Sequence, residues 1–145
     1  MENRIQAKEI FEKKIFRFIE LDAWGIECDK DILVIDEMKD NICLNPDCEL
    51  PMFFSIDYED IKKIKDIIAE HEYIFKIKNV QSPDWILDGS RQEIFFWNKD
   101  IINKIETNNL ERWEDNDCKY RNTKYLLKII NDISKILSKY EIRLM

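Results

Sequence analysis

The chain has 145 residues, with 23 Lys and Arg against 30 Asp and Glu for a formal net charge of −7, and 45% of its residues are hydrophobic. That length supports one domain, here residues 1–145, and the apolar content excludes a disordered chain. Two glycines, Gly25 and Gly89, and the single His71 exclude Gly-rich nucleotide loops and zinc sites built on paired imidazoles.

In chain order, Ile5, Phe11, Ile15, Phe18 and Ile19 recur at spacings near three and four and predict an amphipathic helix over residues 3–21. Phe16 also admits a strand over its second half. The β-branched run 32–35 and residues 42–44 read as two strands that end at an Asn45-Pro46-Asp47 turn, and 52–56 as another. Asp57, three residues before Asp60, heads the stripe Ile61, Ile64, Ile67 and Ile68, which predicts a capped helix. Residues 73–78 switch to period two. Residues 85–87 and 92–97 flank Asp88-Gly89, a hairpin dipeptide, and Asn98-Lys99-Asp100 turns into 101–106, completing a meander of up to four antiparallel strands. Residues 94–97, Ile-Phe-Phe-Trp, are apolar on both faces, as in a central strand covered on both sides. Leu126, Ile130, Ile133 and Leu137 mark a last helix from about 123 to 140. The expected fold class is α+β: an antiparallel meander packed with N-terminal, central and C-terminal helices.

Charge is uneven along this order. Residues 20–60 carry 13 acids and only Lys30 and Lys39, a net −11, so the remainder is +4. A shorter acidic cluster, Glu111, Glu114, Asp115 and Asp117, surrounds Trp113. Concentrated like charge repels itself and is useful for steering a partner of opposite sign. It also makes direct binding of nucleic acid a poor expectation, since that affinity comes from clustered Lys and Arg.

The chain has 25 Ile, 17 Lys and 11 Asn but 3 Ala, a usage expected of an AT-rich prokaryotic or viral gene. Residues 1–20 have scattered charges and no apolar core like that of a secretory peptide, and no run approaches the ~20 apolar residues of a membrane span. The expectation is a cytoplasmic protein without membrane partners, whose Cys28, Cys43, Cys48 and Cys118 are reduced thiols.

No catalytic constellation declares itself. Cys43 and Cys48 lack the paired two-residue spacing of zinc knuckles. His71 precedes Glu72-Tyr73 at a helix-to-strand junction, where the helix dipole favours it as a terminal residue. A metal-nuclease pattern at Pro83-Asp84, Asp88 and Glu93 lacks its lysine, since Phe95 stands there. The expectation is therefore a non-enzyme with no catalytic residue, metal or cofactor. An enzyme using Cys43, Cys48 or His71 is a minor alternative.

Trp85-Ile86-Leu87-Asp88-Gly89, then Glu93-Ile94-Phe95-Phe96, then an acidic, Asn-rich connection into a final helix, resembles small immunity proteins of bacterial contact-dependent growth inhibition and polymorphic-toxin systems. The likeness covers roughly residues 83–140, with Ser90-Arg91-Gln92 where those families usually have a tryptophan. It implies an inhibitor that binds a cognate toxin C-terminal domain, often a basic nuclease, and occludes its active site. The residues expected to bind the partner are Asp22, Glu27, Asp29, Asp36, Glu37 and Asp40, together with Glu111, Trp113, Glu114, Asp115 and Asp117. The alternative is a phage-encoded mimic of nucleic acid, an anti-restriction or anti-CRISPR protein, whose acids would line one continuous face.

Overall fold

Phe16 and Phe18 point into the core while Arg17 and Ile19 between and beside them face the other way, and this period of two makes Lys14–Leu21 a strand, β1. The helix expected over 3–21 is thereby corrected for residues 14–21. Ile15, Phe18 and Ile19 fit helical spacing as well, but aromatic and β-branched side chains pack better on a pleated surface with strands on both sides. The computed structural model describes residues 13–22, 28–36, 40–79, 90–108 and 121–144.

The other strands are β2 (Cys28–Ile35), β3 (Ile42–Leu44), β4 (Met52–Phe54), β5 (Arg91–Asn98) and β6 (Ile101–Asn108). Together with β1 they form one six-stranded antiparallel sheet in the order β4-β3-β2-β1-β5-β6. The expected four-stranded meander reduces, among the described residues, to the β5–β6 hairpin, and the second neighbour of β5 is β1. Residues 85–89 lie outside the described residues. The stretch 73–78 is no strand: Glu72–Phe75 is a 3-10 turn, and Ile74 within it and Ile77 just after it, three apart, are buried.

Two helices cover one face, α1 (Tyr58–Glu70) and α2 (Arg121–Ser138). Register lines Ile105, Ile94, Phe18, Ile32 and Leu44 into one row across the sheet, with Phe96, Phe16, Val34, Ile42 and Phe54 in the next. Ile61, Ile64 and Ile68 of α1 and Leu126, Ile130, Ile133 and Leu137 of α2 bury their stripes in this same core. Phe16 and Phe96 meet at 5.6 Å between ring centroids, tilted by 54°. Burying each such side chain contributes about 1.5–3 kcal/mol.

Helix ends depart from the expected capping. Asp57 stands at the N-cap of α1 without a side-chain cap bond, and its carbonyl accepts from Asp60 and Ile61 N–H. Asp60 instead turns to the chain's C-terminal end, where it meets the Tyr140 hydroxyl and Lys139 Nζ, the latter at 3.1 Å. α2 closes in a Schellman motif: Ile142 N–H donates to Leu137 O, Glu141 N–H to Ser138 O, and Glu141 takes φ 62°.

The second sheet face differs. Leu33, Ile35 and Cys43 form a small buried cluster there. Phe95 and Trp97 are half-buried on that side and stack at 5.7 Å, while Ile94 and Phe96 are buried on the helix side. The strand 94–97 is therefore internal to the sheet but fully buried on one face only.

Candidate functional site

The acidic segment is divided in two by its partners. Arg17 is central to the first part: its guanidinium donates to both oxygens of Asp31, at 2.9 and 2.6 Å, and to Asp47 at 2.7 Å. Burial works against the charge on Arg17, but hydrogen bonds to Asp31 and Asp47 outweigh it and hold its pKa above the ordinary value. Asp36 is half-buried and pairs with Lys65 at 2.7 Å. Asp60 is 5% exposed, and the Tyr140 hydroxyl, opposed by burial and aided by Lys139, holds its pKa below the usual carboxylate value. Asp31, Asp36 and Asp60 thus act inside the molecule.

The second part is exposed and gathers at one border of the sheet. Asp40 lies two residues before β3, Asp47 and Glu49 lie in the turn joining β3 to β4, and Asp57 and Glu59 follow β4 at the head of α1. All five are exposed. Within the same stretch Leu50 is 88% exposed, Met52 61%, Tyr58 64% and Phe53 37%. Single exposed apolar residues are ordinary, whereas four fall within nine residues here: Leu50 in the turn before β4, Met52 and Phe53 on the two faces of β4, and Tyr58 at the start of α1.

The local sequence explains this border. Pro51 cannot donate a ladder hydrogen bond, and β4 is only three residues long, both features of a sheet edge. Asn41 fixes the return of the chain: its Nδ2 donates to Ile56 O at 3.0 Å and its Oδ1 accepts from Ile56 N–H at 2.7 Å, both buried. Ser55 Oγ donates to Asp40 at 3.1 Å. The apolar side chains therefore sit on a braced edge.

Of the expected partner-binding residues, the structure brings only Asp40 to this border. Asp29 is exposed at the start of β2, and Asp22 is half-buried just after β1. Asp36, just after β2, is half-buried and paired with Lys65. Glu27, Glu37, Glu111, Trp113, Glu114, Asp115 and Asp117 lie outside the described residues. Leu50, Met52, Phe53 and Tyr58 are exposed apolar residues that the sequence reading did not single out. Their signal was a short apolar strand enclosed by Pro51 and acids, which marks an edge.

The thiols and the imidazole make no converging site among the described residues. Burial pushes the Cys43 thiol up to about 12, which leaves it inert as a nucleophile at neutral pH. His71 is the C-cap of α1; its Nδ1–H donates to Ile67 O at 2.6 Å and its ring meets Tyr125 edge-on. No group of three or more His, Cys, Asp or Glu side chains is placed to hold a metal ion among the described residues. No described helix is long and apolar enough to cross a membrane.

No family model matches the chain, and no curated protein matches it.

Proposed function

We propose that this protein is a binding protein that neutralises a basic protein partner through the β3–β4 border, and that the partner is a bacterial toxin domain of the nuclease kind. The observation that carries this reading is that exposed Leu50, Met52, Phe53 and Tyr58 share the stretch 40–59 with exposed Asp40, Asp47, Glu49, Asp57 and Glu59. Apolar side chains at the centre supply affinity by leaving water, and acids at the rim steer a basic partner and exclude an acidic one. A nuclease surface that holds phosphates offers the complementary charge, so the acidic rim competes for the substrate's place.

This arrangement also separates the proposal from its alternative. A mimic of nucleic acid needs carboxylates spaced along a face with phosphate-like regularity, and it gains nothing from four exposed apolar side chains among them. A protein partner uses both. The resemblance of residues 83–140 to small immunity proteins supports the same choice.

The test is to co-express the chain with the C-terminal domain encoded by the adjoining upstream gene. The expected result is restored growth and a complex that co-purifies. A harmless neighbour, or a toxic one that the chain neither binds nor neutralises, overturns the proposal.

A further inference from the structure

The two borders of the sheet are built differently. β4 is three residues long and follows Pro51, and both features discourage a further strand from pairing there. β6, at the opposite border, runs for eight residues and holds no proline. It exposes Ile101 at 56% and Ile102 at 57%, beside the turn Lys99-Asp100.

The ladder fixes which main-chain groups of β6 face outward. β5 and β6 pair in one unbroken antiparallel register from Arg91↔Asn108 to Asn98↔Ile101, so alternate residues of β6 turn their N–H and C=O toward β5 and away from it. Glu106 N–H marks the outward set, since it donates to Asn79 Oδ1 at 3.4 Å. Ile102 and Lys104 belong to the same set. Among the described residues no group hydrogen-bonds their outward N–H and C=O, and both residues are exposed. Asn103 Nδ2 donates to Ile74 O and Ile77 O at 2.8 and 2.7 Å, which holds that segment against the strand, and Asn79 then covers the edge at Glu106. The free part of the edge is therefore Ile102 to Lys104.

Open ladder groups on an exposed, apolar edge without proline call for another strand. We infer that a second copy of this chain supplies it: β6 pairs antiparallel with β6 of the second copy about a two-fold axis at Ile102, joining the two sheets into one. Other registers fail on charge or on access. Centring on Lys104, which already pairs with Glu93 and Glu106 of its own chain, sets two ammonium groups opposite each other and carries Ile102 to Glu106, where Asn79 lies. Setting Ile102 opposite Lys104 carries Asp100 to the same covered Glu106, of like charge. Centring on Ile102 packs two exposed isoleucines across the axis, closes reciprocal N–H to C=O bonds between them, and brings Asp100 opposite Lys104, clear of Asn79. Such a contact is isologous and closes at two copies rather than growing into a fibre. It leaves the β3–β4 border free at the far end of each sheet, so the dimer carries two such borders, and the inference stands or falls independently of the proposed function.

The experiment is sedimentation of the full chain over about a hundredfold range of concentration. The expected result is a reversible monomer–dimer equilibrium. Ile102→Lys replaces the apolar pair by like charges and is expected to weaken the dimer about tenfold or more, with the thermal midpoint unchanged because Ile102 is exposed. Cross-linking reads the register in a background of Cys28→Ser, Cys48→Ser and Cys118→Ser. Residues opposite each other in a bonded pair lie about 5.5 Å apart at Cα, within disulfide reach, so Ile102→Cys is expected to give a linked dimer on treatment with diamide. Lys104→Cys, opposite Asp100 rather than its own counterpart, is expected not to. A monomer at every concentration, as an edge that takes only a foreign strand would give, overturns the inference. So does a dimer that Ile102→Lys leaves intact, or one that Lys104→Cys links as readily as Ile102→Cys.

Discussion

Replacing Arg17 with Met isolates what holds the acidic border to the sheet. Arg17 makes two hydrogen bonds to Asp31 and is the only cation within salt-bridge distance of it among the described residues. The Asp31 side chain is 7% exposed, so Arg17→Met leaves an almost fully buried carboxylate without its partner. Breaking such a pair costs about 3–5 kcal/mol, and because the site opens toward exposed Asp47, the lower end applies: about 3 kcal/mol. Against a typical total of 5–15 kcal/mol, that is a large fraction. Asp47→Asn removes the other partner, but Asp47 is 76% exposed and solvent screens the pair, so its loss is expected to cost under about 1 kcal/mol. The double variant Arg17→Met/Asp31→Leu is expected to recover most of the loss, since neither charge remains buried. Urea unfolding at pH 7 reads all three variants. A loss under about 1 kcal/mol for Arg17→Met, or a double variant no better than the single, refutes the reasoning.

Tyr140→Phe removes the hydroxyl that depresses the Asp60 pKa, and is expected to cost about 1.5–3 kcal/mol at pH 7. A depressed carboxylate contributes stability that is full above its unfolded value near 3.8 and is lost as pH falls through its folded value. The gap between parent and Tyr140→Phe should therefore narrow as pH falls below 3.8 in urea titrations, down to the part that the Asp57 N–H bond to the same hydroxyl contributes; a gap independent of pH contradicts it. Glu141→Gly relieves a residue at φ 62° in the Schellman position and is expected to stabilise by about 1 kcal/mol, read as a higher thermal midpoint. Cys43, buried and raised to about 12, should resist iodoacetamide at pH 8 while exposed Cys48 is alkylated; peptide mapping showing equal labelling would contradict this.

Much of the sheet was readable where one period dominates. Residues 32–35 and 42–44 are β-branched or apolar runs bounded by acids and turn residues, and both are strands. The two long apolar stripes of α1 and α2 were equally plain. Residues 14–21 were harder because Ile15, Phe18 and Ile19 satisfy helical spacing while Phe16 and Phe18 satisfy strand spacing; pairing with β2 and β5 decides between them. Residues 73–78 alternate on paper, yet a three-residue period wins once Ile74 and Ile77 are buried together.

Charge counting located an acidic arm but not its division. Asp31 and Asp47 are claimed by an arginine 14 and 30 residues earlier in the chain, and Asp60 by groups about 80 residues later. No local pattern reports such pairing. Strand order is equally non-local, and it alone makes β4 an edge and leaves Met52 and Phe53 exposed.

The most direct test of the docking account is the association kinetics of the chain with the toxin domain from the adjoining gene, at about 50 and 300 mM salt. Two variants accompany the parent: Asp40→Asn/Asp47→Asn/Glu49→Gln at the rim and Leu50→Ser/Met52→Ser at the centre. The account predicts that salt and the rim variant each slow association about tenfold, while the centre variant speeds dissociation about tenfold or more with thermal stability unchanged. A complex whose rates are indifferent to salt and to both variants would contradict it.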